Sequence, residues 1–242
     1  MRAIVWLLLF SLHPIWAAEK PKVVFIAGEF EYHSRETLPV FAGELRKNFA
    51  VETIVLQRPD DQKLETIPGL DALESADLVI FFIRRMTLPE EELNRIRKYV
   101  DSGRPLIGIR TASHSFQNWK EFDHDVLGGN YGNHYGNQLK TTVSIISEAK
   151  EHPILKGFSP FVSDGSLYMN TPLQPGSKPL LLGKVEGKAP EPIAWTHQYK
   201  NARVFYTSLG HPNDFKEESF KTLLRNAIEW SLAKPLEQAS AK

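Results

Sequence analysis

Three short apolar runs constrain this chain most: Lys22 to Gly28 (KVVFIAG), Asp77 to Ile83 (DLVIFFI) and Pro105 to Ile109 (PLIGI). None of them alternates polar with apolar residues. A strand without a polar face must be covered on both sides, the situation of a parallel sheet between two helical layers. The intervening segments supply those layers. A helix is predicted over about 36–48, with Leu38, Phe41, Ala42 and Leu45 on one face. Val51 to Leu56 reads as a further strand. Thr87-Leu88-Pro89-Glu90 has capping-box spacing, Leu93, Ile96 and Val100 form an apolar stripe behind it, and Gly103 stops it. This alternation predicts an α/β fold: a single doubly wound, mostly parallel sheet flanked by helices, flavodoxin-like in plan.

The second half is less regular. Gln138 to Ser147 alternates like a half-exposed strand, and Leu180 to Val185, Pro192 to Thr196 and Arg203 to Leu209 are strand candidates. A closing helix is expected over 214–233, with Asp214 and Glu217 at capping-box spacing and Phe220, Leu223, Leu224, Ala227 and Ile228 on its apolar face. Residues 234–242 are polar and expected to fray. No internal repeat or low-complexity linker divides the chain, so one domain over 22–233 is expected.

Composition narrows the function classes. With 29 basic and 29 acidic residues the chain carries no net charge, which argues against nucleic acid as a partner. It has no cysteine, so thiol nucleophiles, thiolate metal sites and disulfides are excluded. Met1-Arg2, the apolar run Ala3 to Leu12 and the small residues Ala17-Ala18 before Glu19 read as a signal peptide over 1–18. That run is short for a membrane span. The expectation is an exported protein, periplasmic or secreted, free of the membrane after cleavage. Homo-oligomerisation is left open.

In open parallel sheets ligands bind outside the carboxyl ends of the strands. Three polar clusters fall there: Gly28 to Arg35, Arg110 to Phe116, and Gly210 to Asp214. No phosphate-cradling glycine loop and no H-E-x-x-H accompanies them. Gly108-Ile109-Arg110-Thr111-Ala112 has the spacing of a nucleophile elbow, with arginine in the nucleophile's place.

Ile107 to Phe116 (IGIRTASHSF), Leu127-Gly128-Gly129, Gly132-Asn133-His134, Pro192 to Trp195 and Arg203 to Pro212 (RVFYTSLGHP) together resemble the ThuA, or trehalose-utilisation, family. The resemblance runs over about Lys22 to Ala233. It implies a class I glutamine amidotransferase-like fold and a role in the catabolism of trehalose and related sugars, often as 3-keto derivatives. The superfamily's catalytic cysteine falls at Arg110, its histidine at His211 and its glutamate at Asn213, so glutamine hydrolysis through a thioester is excluded. Where relatives carry an acidic pair before a tyrosine, this chain has Asp164 and Gly165 ahead of Tyr168.

The candidate catalytic residues are therefore His114, His211 and Arg110. A histidine, His114 or His211, could remove the proton beside a 3-keto group while Arg110 or a metal stabilises the enolate. His114, His134 and His211 could alternatively form an open three-nitrogen site for a divalent metal such as zinc. Glu29, Tyr32, Arg84, His134, Tyr168 and Trp195 are candidate contacts to a small-molecule carbohydrate, with Trp119, Tyr131 and Tyr135 as further stacking surfaces. His33 and Glu31 could contribute from the first loop, whereas His124 and His152 read as surface or structural residues. The alternative is a non-catalytic sugar-binding or accessory protein on the same fold.

Overall fold

The computed structural model describes residues 19–239; the expected signal peptide, 1–18, lies outside them. In chain order the elements are β1 (Lys22–Gly28), α1 (Ser34–Asn48), β2 (Glu52–Gln57), β3 (Leu78–Ile83), α2 (Glu90–Asp101), β4 (Leu106–Ile109), β5 (Asn133–His134), β6 (Thr141–Ile145), β7 (Val162–Ser163), β8 (Tyr168–Met169), β9 (Lys178–Lys184), β10 (Glu191–Tyr199), β11 (Ala202–Thr207) and α3 (Glu218–Leu232). Nine strands form one sheet in the order β2-β1-β3-β4-β11-β10-β9-β6-β7. From β2 to β11 every pairing is parallel. Beyond β11 the sheet continues antiparallel through β10, β9, β6 and β7.

The apolar runs do what their composition requires. Along β1, Val23, Phe25 and Ala27 face a core shared with α1 and α3, where Phe41, Leu45, Leu223 and Ala227 pack. The intervening Val24 and Ile26 face a second core containing Leu93, Ile96 and Val100 of α2. The sheet is thus covered on both faces, as a doubly wound fold demands.

Two expected caps are not made. Pro89 precedes α2 without a side-chain cap, and the Thr87 N–H donates instead to Glu65 Oε2 (2.7 Å). The last helix begins at Glu218 rather than Asp214. Asp214 is buried, and its Oδ2 accepts from the Gly210 and His211 amides (2.8 and 3.0 Å) and the Ser163 hydroxyl (3.0 Å). Closing that loop satisfies several buried donors, more than a cap would.

The expectation of a frayed tail is also corrected for its described part. Leu236 is buried in the core beside α1 and α3. The Ala50 N–H donates to the Glu237 carbonyl (2.8 Å), the Ala239 N–H to the Asn48 carbonyl (3.0 Å), and Phe49 bridges to Gln238. One apolar residue among polar neighbours anchors the segment. Leu236→Ala should lower unfolding free energy by about 2–3 kcal/mol in urea titration. A loss within about 0.5 kcal/mol, typical of surface positions, would mean that the segment does not dock.

Candidate functional site

β1, β3, β4 and β11 end at the same edge of the sheet. At the end of β4 the chain turns sharply at Arg110, whose φ of 46° puts a non-glycine residue in the left-handed region, and continues as the single 3₁₀ turn Arg110–His114. This is the elbow that the spacing suggested.

The Arg110 side chain is not offered to a ligand. It is 1 % exposed, donating from Nη1 to the Ser208 carbonyl (2.7 Å) and from Nη2 to Ser166 Oγ (3.2 Å). Its guanidinium carbon lies 4.0 Å from the Tyr32 ring centroid and 4.8 Å from that of Tyr168. Burial opposes its charge, but the two tyrosines and the nearby Asp214 carboxylate outweigh that and hold it protonated. The expectation that Arg110 meets an enolate is therefore corrected: the guanidinium is enclosed, both Nη atoms are bonded, and Nε, the one nitrogen without a hydrogen-bond partner, is itself buried. Gly165 follows from the same packing, because a Cβ there would fall 2.7 Å from Arg110 Nη1. Asp164 turns outward to Lys140 (2.8 Å) and Asn213 (2.8 Å).

Several expected ligand contacts are committed elsewhere. Glu29 is 1 % exposed and accepts from the Tyr32 and Ser34 amides (2.6 and 2.7 Å), so it braces the loop before α1 instead of meeting a sugar. Tyr32 and Tyr168 are buried, with ring faces turned to Arg110. Trp195 is fully buried against Tyr206, its Nε1–H donating to the Leu127 carbonyl (2.7 Å); it is core. Trp119 packs on Phe116 and Phe122, and Tyr135 lies beneath Lys188. Arg84 pairs with Glu31 (3.0 Å) and so ties the loop after β3 to the loop after β1, where the strand order diverges. His33 is exposed beside Glu36. His124 is likewise exposed, while His152 Nδ1 accepts from the Ile154 amide (3.2 Å).

A polar cavity of about 640 Å³ opens beside the elbow. Arg85, Ser113, His114, Gln117, Asn130 and Tyr131 are among its walls. The His114 ring stacks on Tyr131, 4.5 Å between centroids and 22° between planes. Its tautomer follows from its neighbours. Ser113 Oγ donates to the Arg110 carbonyl (3.3 Å) and so accepts from His114 Nδ1–H (3.1 Å), leaving the lone pair on Nε2. Burial, then the charges of Arg85, Arg84 and Arg110, push the His114 pKa down to about 3. The ring is therefore neutral at physiological pH.

His211 differs. Its Nδ1 accepts from the Asn213 amide (3.2 Å), which leaves the proton on Nε2, and its ring meets Tyr32 edge-on at 6.4 Å. In this neutral tautomer it presents an N–H donor at Nε2. His134 donates from Nδ1 to the Tyr135 carbonyl (2.7 Å). Among the described residues no three histidine or carboxylate side chains are placed to share an ion, so the residues do not fit the expected zinc site of His114, His134 and His211. His114 and His134 flank Tyr168 at 6.0 and 6.2 Å, while His211 lies against Tyr32, and buried Arg110 contacts both tyrosines.

Asp123 joins the cavity without having been visible as a site residue. It lies in the π-helical turn Phe122–Leu127 and is 7 % exposed. Its Oδ2 accepts from the Tyr131 amide (2.7 Å) and its carbonyl from the Gly129 amide (3.0 Å). A Cβ at Gly129 would fall 2.3 Å from Oδ1, so only glycine permits this approach. Burial raises the Asp123 pKa to about 7. One cavity thus holds a histidine pushed down and a carboxyl pushed up, a pairing typical of sites where protons are handled. A second groove, about 530 Å³ between α2 and the turn at Leu70–Ser75, lies away from these strand ends.

The model of the trehalose-utilisation family, ThuA, matches residues 22–231. The chain belongs to the ThuA family. Among solved structures it is similar to a ThuA-like protein from Bacteroides uniformis (21% identity, 92% of this chain and 96% of that one, TM-score 0.69). A ThuA-like protein from Parabacteroides merdae gives 18% identity over 92% and 94%, again with a TM-score of 0.69. A cold-adapted β-galactosidase from Rahnella shares the fold with 32% of its own length (15% identity, 90% of this chain, TM-score 0.57). No curated protein matches.

Two outcomes test this ThuA site. Gly165→Ala should cost about 1–3 kcal/mol by forcing Arg110 to move, read by thermal unfolding; an unchanged midpoint would contradict the packing. Asp123 titrates higher folded than unfolded, so its contribution to stability is present below about pH 4 and is lost as pH rises through 7. Asp123→Asn should therefore gain stability relative to wild type between pH 5 and 8, measured by urea midpoints. A constant difference would mean that Asp123 is ionised throughout.

Proposed function

We propose that this ThuA-family chain is an exported protein that takes a trehalose-like sugar, oxidised to its 3-keto form, into the cavity beside His114. The observation that carries this reading is the His114–Tyr131 stack, with a free Nε2 lone pair on a polar cavity wall. A sugar's hydroxyls suit Gln117, Asn130 and Ser113, and its C–H face suits an aromatic ring. His114 Nε2 takes the proton from the carbon between the ketone and the anomeric centre. The electron pair forms an enolate, then the double bond, as the glycosidic oxygen leaves. The proton passes from His114 to that oxygen, so the products are an unsaturated ketone and a free alcohol. The positive field of Arg84, which already depresses His114, offsets the negative charge of the enolate.

The low basicity of His114 favours a second reading, a sugar-binding protein without turnover. The two part on one experiment. His114→Gln should reduce turnover of 3-keto-trehalose by at least about 100-fold and leave affinity within a few-fold, measured by product chromatography and calorimetry. Binding of the keto-sugar by folded wild-type protein without product formation selects the binder; binding of neither 3-keto-trehalose nor trehalose removes both readings.

A further inference from the structure

Arg85 is one of five non-glycine residues in the described chain with positive φ (47°). Such a backbone persists where the surroundings over-determine it, and here they do. The Arg85 N–H donates to the His114 carbonyl (2.8 Å), the Met86 N–H to the Ser115 carbonyl (2.7 Å), and the Gln117 N–H to the Met86 carbonyl (2.8 Å). The loop after β3 is laced to the elbow by three main-chain bonds, and this fixes where Arg85 leaves the backbone. Its side chain lines the cavity together with Lys120. Arg84, its neighbour, has Glu31 as a partner. Arg85 and Lys120 have no ion pair or side-chain hydrogen bond among the described residues. The carboxyl lining the same cavity, Asp123, is buried and accepts from the Tyr131 amide.

We propose that Arg85 and Lys120 form a seat for an anionic substituent, so that the sugar taken into this cavity carries a carboxylate or a phosphate. This rests on the carbohydrate reading above and narrows it. Arginine suits either group through paired N–H donors, and lysine adds a point charge. Both cations line the same concave cavity, where field lines concentrate. The zero net charge of the chain says nothing against this, because the imbalance is local. An anion seated here would also offset the charge of Arg85, the first of the cations acting on His114, and so make that ring a better base.

The test is calorimetric titration of the full chain with glucose, glucuronate, glucose-6-phosphate and inorganic phosphate, at low and high salt. It is repeated with Arg85→Gln and Lys120→Gln, which sit on an exposed rim and can be checked for folding by circular dichroism. At least one anionic sugar should bind about tenfold or more tighter than glucose, the value of one charge-assisted contact. The preference should shrink with salt and be lost in Arg85→Gln. The tighter of the two anionic sugars identifies the group as carboxylate or phosphate. Glucose binding as tightly as both, or a preference that survives both variants, overturns the anion seat and leaves the carbohydrate reading standing. Arg85-dependent binding of inorganic phosphate with no sugar bound does the reverse.

Discussion

The edge of the sheet is organised around one buried cation. Arg110 occupies an elbow in the left-handed region, and its guanidinium is enclosed by the Ser208 carbonyl, the Ser166 hydroxyl and the faces of Tyr32 and Tyr168. A buried charge is tolerated only with partners of this kind, and their positions follow from it. Tyr32 is held by Glu29, Asp214 is held by the Gly210–His211 amides and Ser163, and position 165 must be glycine. Residues that look like catalytic machinery in the sequence are thereby committed to supporting a cation.

What remains open to solvent lies one turn further on. The 3₁₀ turn from Arg110 brings His114 to the cavity wall, Ser113 sets its tautomer, and Asp123 holds the Tyr131 amide beneath the stacked ring. Here the electrostatics are local. Burial acts on both titratable groups, keeping His114 neutral and bringing Asp123 to titrate near pH 7. The surrounding arginines lower His114 further, so a cavity in a chain of zero net charge has a distinctly positive wall.

The parallel half of the fold was legible because strands buried on both faces leave a compositional mark, and the elbow because its spacing is local. The roles of individual residues were less so, for physical reasons. Arg110 is enclosed by Tyr32 and Tyr168, far apart in the sequence, and no local pattern announces their convergence. Trp195 reads equally well as a sugar platform or as core until strand pairing sets it beside Tyr206. Asp123, within Glu121-Phe122-Asp123-His124-Asp125, looks like a solvated surface residue. The only trace of its burial is Gly129, whose missing side chain admits the carboxylate. Leu236 is one apolar residue among polar ones and gives no period to read.

The central proposal is that chemistry at this sheet edge belongs to the His114 cavity and not to the Arg110 elbow. Long-range proton–nitrogen correlation spectra of the histidine rings, recorded while 3-keto-trehalose is added, test it directly. The account predicts His114 as the neutral Nδ1–H tautomer, with its Nε2 resonance moving as sugar binds while that of His211 stays fixed. A shift at His211 with none at His114, or a His114 ring that protonates near pH 6.5, would contradict it.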